Sequence, residues 1–206
     1  MSAGFSISRR IALALRRARV GILTMALAHA VGLGSGMLMV HAGNRFALNH
    51  RDRIISNARS SSPITRRLIQ GQPAVAAALD CAANTLAATA TALSGYWAPA
   101  PFPIALYRGW IGGVVSVDDQ HRSRLTRSFS GGTYYMCVIV LQLVPYTLAG
   151  GAGVNLGLAR VKPVGDYAGP RFLGLPHAAL RDAGWIYVLV IPLFALASAF
   201  EFFWPS

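Results

Sequence analysis

The chain has 206 residues, of which 54% are hydrophobic and only 13% charged, yet its net charge is +12 and its mean hydropathy is +0.46. Soluble globular proteins carry about 25% charged residues spread over their surface. Here the charges sit in a few blocks between long apolar tracts, the pattern a bilayer imposes because ionised groups in hydrocarbon are costly. This argues against a soluble enzyme and predicts an all-α, polytopic transmembrane helix bundle of about five spans.

Residues 1–19 are basic. Ile7, Ile11 and Leu15 recur at i, i+4 and i+8, and Arg9, Arg10, Arg16, Arg17 and Arg19 take most of the other positions. The pattern suits either an amphipathic helix on the membrane surface or the positive flank of a first span. In both cases the arginines meet anionic lipid headgroups. Val20–Val40 is an uninterrupted apolar run of 21 residues, enough to cross a core of about 30 Å at about 1.5 Å per residue. Ser8-Arg9-Arg10 and Val40-His41-Ala42 echo a twin-Arg signal and a cleavage site, but the run exceeds the roughly 7–15 apolar residues of a signal peptide. The expectation is a first span over 20–40 that begins a single transmembrane domain, 20–204. Gly32 and Gly36 form a GxxxG suited to close helix packing.

Residues 41–72 form a polar extramembrane loop holding six arginines: Arg45, Arg51, Arg53, Arg59, Arg66 and Arg67. Arg45–Arg59 reads as a helix, Ser60-Ser61-Ser62-Pro63 breaks it, and Pro63–Ile69 restarts a short one. Arg51 and Arg53 are candidates for contact with lipid headgroups or a protein partner. The second span, 74–96, is built mostly of Ala and Thr. Asp80 and Asn84 lie one turn apart on one face, with Thr91 nearby, so this helix belongs inside the bundle.

Tyr96–Pro103 is an aromatic and proline-rich turn, and a third tract over 101–117 follows with Arg108, Gly109, Gly112 and Gly113 inside it. Its apolar part, Ile104–Val117, has only 14 residues, so it either crosses or is re-entrant. After a polar stretch, the fourth span runs over 133–159. Pro145 is expected to kink it, and Gly150 and Gly153 admit a close neighbour. A basic loop over 160–183 leads to the last span, 184–204, with Trp185 and Trp204 near its ends. With five crossings the basic residues outside the spans divide nine to each side. The dense N-terminal cluster then decides orientation and places the N-terminus in the cytoplasm.

No catalytic motif is present, neither GxSxG nor a Walker-type GxxxxGK[ST]. Cys81, Cys137 and the five scattered histidines lack metal-ligand spacing. The chain is therefore read as non-catalytic, with no cofactor or metal. The arginine blocks flank apolar spans, which favours lipid phosphates and excludes a nucleic-acid partner. Ionisable groups inside spans mark function by default. Asp80, Asn84 and Glu201 either line a polar cavity for an ion, a proton or a small substrate, or act structurally, with Asp80 and Asn84 tying helices together and Glu201 at headgroup level. No internal repeat of the kind transporters show is visible.

The layout over about residues 20–204 resembles the stage II sporulation protein M family of bacterial membrane proteins. The likeness rests on Gly32 and Gly36 closing the first span, the polar loop after it and Asn84 in the second span. It also rests on the short Gly-rich third segment, Leu143-Val144-Pro145 followed by small residues, and Ala199-Phe200-Glu201-Phe202 in the last span. The chain departs from the family after Pro145. The family often places His or Gln next, and a Glu one turn later, where this chain has Tyr146 and Ala149-Gly150. The resemblance implies a multi-pass protein of the bacterial inner membrane, acting as a scaffold or accessory subunit beside other membrane or envelope proteins. The alternative is a small transporter or channel using Asp80, Asn84 and Glu201.

Overall fold

The computed structural model describes residues 7–127, 129–162 and 167–203. Helix α1, Ile7–His41, is a single helix of 35 residues, about 52 Å long. Nothing breaks the chain between Arg19 and Val20, so the basic segment forms the first turns of the helix that carries the first apolar run. Its buried residues are Ala14, Ala18, Gly21, Met25, His29, Gly32, Gly36 and Val40. They step by three or four and make one stripe. The other side leaves Leu23, Leu27, Val31 and Leu38 exposed, as a lipid-facing surface would.

Helices α2 (Arg45–Ser61) and α3 (Pro63–Ile69) follow outside the long helices. The Asn44 side chain caps α2 by accepting from the Ala47 amide at 3.1 Å, and the Ser62 hydroxyl does the same for α3. Helix α4, Pro73–Ser94, has 22 residues, and α5, Pro101–Val114, has 14, about 33 and 21 Å. The short α6 (Arg124–Arg127) precedes α7, Phe129–Val161. A two-residue hairpin, β1 (Arg171–Phe172) with β2 (Leu175–Pro176), lies in the loop before α8, His177–Phe203. Its turn uses Leu173 and Gly174 at φ of 51° and 79°, and the composition of that loop signals no strand. Trp204 lies outside the described residues.

Three of these helices, α1, α7 and α8, are long and apolar enough to cross a membrane. The protein is an all-α membrane protein. The contacts set the directions of the helices. Along α1 and α5 the neighbours rise together, Gly32 against Leu106 and Gly36 against Trp110. Between α1 and α7 they run oppositely, Gly21 against Gly151 and Met25 against Gly150. Helices α7 and α8 are antiparallel too, with Tyr134 on Phe200 and Tyr146 on Phe194. Helix α4 runs with α7, since Asn84 meets Gln142 and Gly95 meets Gly153. In chain order α1, α4, α5, α7 and α8 alternate in direction.

Helix α7 is the axis of the bundle. Every residue from Ala149 to Gly157 is buried, so neighbours cover all its faces. Pro145, where the sequence predicts a kink, lies inside α7, and its buried pyrrolidine ring is packed within the bundle.

Candidate functional site

Three helices bring polar side chains to one place. Helix α4 supplies Asp80 and Asn84, α7 supplies Gln142 and Tyr146 one turn apart, and α8 supplies Ser198 and Glu201. Asp80 Oδ2 is the hub, accepting from Ser198 Oγ at 2.8 Å, Asn84 Nδ2 at 3.0 Å and Gln142 Nε2 at 3.4 Å. Gln142 Nε2 also donates to Glu201 Oε2 at 3.0 Å, and its Oε1 accepts from Asn84 at 3.2 Å. The Tyr146 hydroxyl donates to Asn84 Oδ1 at 2.7 Å. Asp80, Asn84 and Glu201 therefore belong to one network, and Gln142 is the bridge between the two carboxylates.

The network faces a cavity of about 760 Å³ between α5 on one side and α4, α7 and α8 on the other. Its walls are largely apolar, including Ile111, Val138, Ile139 and Leu143. Arg108 enters from α5, with its guanidinium carbon 4.0 Å from the centroid of the Tyr146 ring, a cation–π geometry. At the α2 end, Ile55, Asp118 and Arg124 line the mouth. Tyr135 closes the wall by donating its hydroxyl to the Gly112 carbonyl. The cavity offers both charge signs, amide groups and apolar surface, but no nucleophile paired with a base. Among the described residues no group of three or more His, Cys, Asp or Glu could hold a metal.

The glycines sit at backbone contacts. A Cβ on Gly32 or Gly36 would collide with the main chain of α5. On Gly150 it would meet Met25, and on Gly153 the main chain at Ala92, at 2.7 Å from its Cα. The N-terminal arginines divide into two kinds. Arg9, Arg10, Arg16 and Arg19 are exposed, whereas Arg17 pairs with the buried Asp182 at 3.1 Å. Asp182 also accepts from the Tyr167 hydroxyl at 3.0 Å. Burial first, and then the negative Asp182, push the Tyr167 phenol up to about 12, so it stays a neutral donor.

Arg53 is exposed, but Arg51 is not available to headgroups, contrary to its expected role. It is 2% exposed and bonded to Asp52 Oδ1 at 3.0 Å and Asp119 Oδ1 at 2.7 Å. The reason is electrostatic. The acidic loop 118–119 folds over α2, where Arg59 also holds Asp119 at 2.6 Å and His121 reaches Asp52 at 3.0 Å. Burial alone would lower the Arg51 guanidinium, but the hydrogen bonds to Asp119 and Asp52 win and hold it raised. Hydrogen bonds from Arg59 and then Arg51 hold Asp119 down at about 2. Slight burial opposes the same effect on Asp52, yet Arg51 and His121 keep it lowered.

Sequence reasoning misses Gln142, Ser198 and the role of Tyr146. A signal was there. Gln142 is the one amide in the run Val138–Val144 and lies one turn from Tyr146. Compared with known proteins, the chain matches no family model, no curated protein and no solved structure.

Proposed function

We propose that this protein is a non-catalytic accessory subunit of a larger membrane complex, in which the cleft between α5 and α7–α8 receives a membrane segment of a partner. The observation that carries the proposal is the cleft itself. A self-sufficient bundle in lipid closes over its polar groups. Here a cavity of about 760 Å³ carries Asp80, Arg108 and Glu201 on apolar walls. Five membrane crossings fit the alternating directions of α1, α4, α5, α7 and α8, with the turn before α5 supplying the length that α5 lacks. The basic first turns of α1 support an N-terminus in the cytoplasm, and the family resemblance supports a bacterial inner membrane. The likeness to the stage II sporulation protein M family supports the same scaffold role among envelope proteins.

The test is stoichiometric co-purification from native membranes in mild detergent. The tagged protein is expected to bring membrane or envelope subunits with it, and Val138→Phe, which fills the cleft, is expected to release them. Recovery of the unaltered protein as a lone monomer would refute the proposal. A second reading, a small transporter or channel, is favoured by the continuous path Asp80–Gln142–Glu201. It requires flux in proteoliposomes that Asp80→Asn abolishes, and absence of flux in the unaltered protein removes it.

A further inference from the structure

Toward the N-terminal ends of α1 and α8, several turns along α8 from the polar network at Ser198 and Glu201, another cavity of about 260 Å³ opens between these two helices. It is lined by Arg10, Leu13, Arg17, Arg181, Asp182 and Trp185. Arg10 and Arg17 are two turns apart on α1, and Arg181 and Trp185 one turn apart on α8, so each pair shares a helix face. Three guanidiniums and one carboxylate converge. The carboxylate is already engaged, because Asp182 is 3% exposed and bonded to both Arg17 and Tyr167. That pair cancels the charge of Arg17 and leaves the exposed Arg10 and Arg181 as the net charge of the pocket. The Arg10 guanidinium lies 5.5 Å from the Trp185 ring centroid, a stack that orients its planar fork. Leu13 and Trp185 give the pocket an apolar side. Along α1, Leu13, Val20 and Leu27 follow at seven-residue intervals, all exposed, so an acyl chain leaving the pocket meets continuous apolar surface.

We propose that this pocket binds the phosphate of an anionic membrane phospholipid. Arg10 and Arg181 take the phosphate oxygens through charge-assisted hydrogen bonds, and Trp185 and Leu13 flank the glycerol. The volume suits a headgroup, with the chains left in the bilayer. The site is independent of the cleft and of any partner in it.

The full chain, purified in a neutral detergent, is titrated with phosphatidylglycerol, phosphatidylcholine or inorganic phosphate, and bound lipid is read by native mass spectrometry. Phosphatidylglycerol is expected to form a saturable one-to-one adduct. In Arg10→Gln/Arg181→Gln its affinity is expected to fall on the order of tenfold or more, since each interfacial basic residue contributes appreciably to anionic-lipid binding. Arg16→Gln/Arg19→Gln removes the same charge from exposed positions off the pocket and is expected to bind like the unaltered protein. Arg10→Lys/Arg181→Lys keeps the charge, loses the fork and is expected to fall between. Equal weakening in the two Gln pairs would mean diffuse attraction and overturn the proposal. So would equal binding of phosphatidylcholine, or displacement of the lipid by an equal concentration of inorganic phosphate, which would make free phosphate the ligand.

Discussion

The contact between α1 and α5 and the polar part of the contact among α4, α7 and α8, around Asp80, are built in opposite ways. Helix α1 meets α5 backbone to backbone, through Gly32, Gly36, Gly109 and Gly113. Helices α4, α7 and α8 meet in part through side chains that share hydrogen bonds around Asp80. Glycine contacts cannot slide, because any displacement drives main chain into main chain. Hydrogen bonds among Asp80, Asn84, Gln142 and Glu201 can be exchanged one at a time for bonds to an incoming group. The cleft lies between a rigid half and a half whose hydrogen bonds can be exchanged.

The largest effect is expected from a side chain placed in the rigid half. Gly36→Leu sets atoms against the Trp110 carbonyl and the Gly113 Cα, where the backbone cannot yield. It is expected to cost about 3 kcal/mol or more, seen as a large drop in thermal stability in detergent. Gly34→Ala is the control, since nothing lies within 4 Å of its added carbon; it is expected to be neutral. Next comes the hub of the polar half. Asp80→Ala removes the acceptor of three donors and strands Ser198, which is 1% exposed, so a loss of about 1–3 kcal/mol is expected. Asp80→Asn keeps the size and part of the bonding and is expected to cost less. If both cost nothing by reversible unfolding in detergent, the network does not hold the helices.

Much of this architecture is legible in the residues. Runs of apolar residues mark the long helices, Ser62-Pro63 marks the start of α3, and the Asp80/Asn84 spacing marks one face of α4. The convergence of that face with Glu201 is not, because a chain of 206 residues does not state which helix packs beside which. Gln142 is hidden by the hydrophobicity around it, and Arg51 by the usual exposure of arginine; only the fold of loop 118–119 over α2 turns it inward. The continuity of α1 is also hard to foresee, since charge changes abruptly at Val20 while helix propensity does not.

Two smaller effects are expected. Tyr146→Phe removes one hydroxyl bond, to Asn84, but keeps the edge contact with Phe194 at 4.8 Å. It is expected to cost about 0.6 kcal/mol, the average for a bond between membrane helices. The smallest effect lies at α2, to which ion pairs clamp the 118–121 loop. The carboxyls of Asp119 and Asp52 are lowered in the folded protein, Asp119 to about 2. Their contribution is therefore present above the ordinary carboxyl range near 4 and is lost as pH falls toward about 2. Hydrogen exchange is expected to show the 115–123 segment losing protection across that window, while α7 keeps its own.

The claim that the polar half lines an open cleft is tested most directly by thiol accessibility. In the purified protein carrying Cys81→Ser and Cys137→Ser, a cysteine at Val138, on the cleft wall, is compared with one at Ala88, which is 0% exposed. A water-soluble, membrane-impermeant thiol reagent is predicted to modify Val138→Cys rapidly and to leave Ala88→Cys intact. Equal protection of both positions would contradict the account.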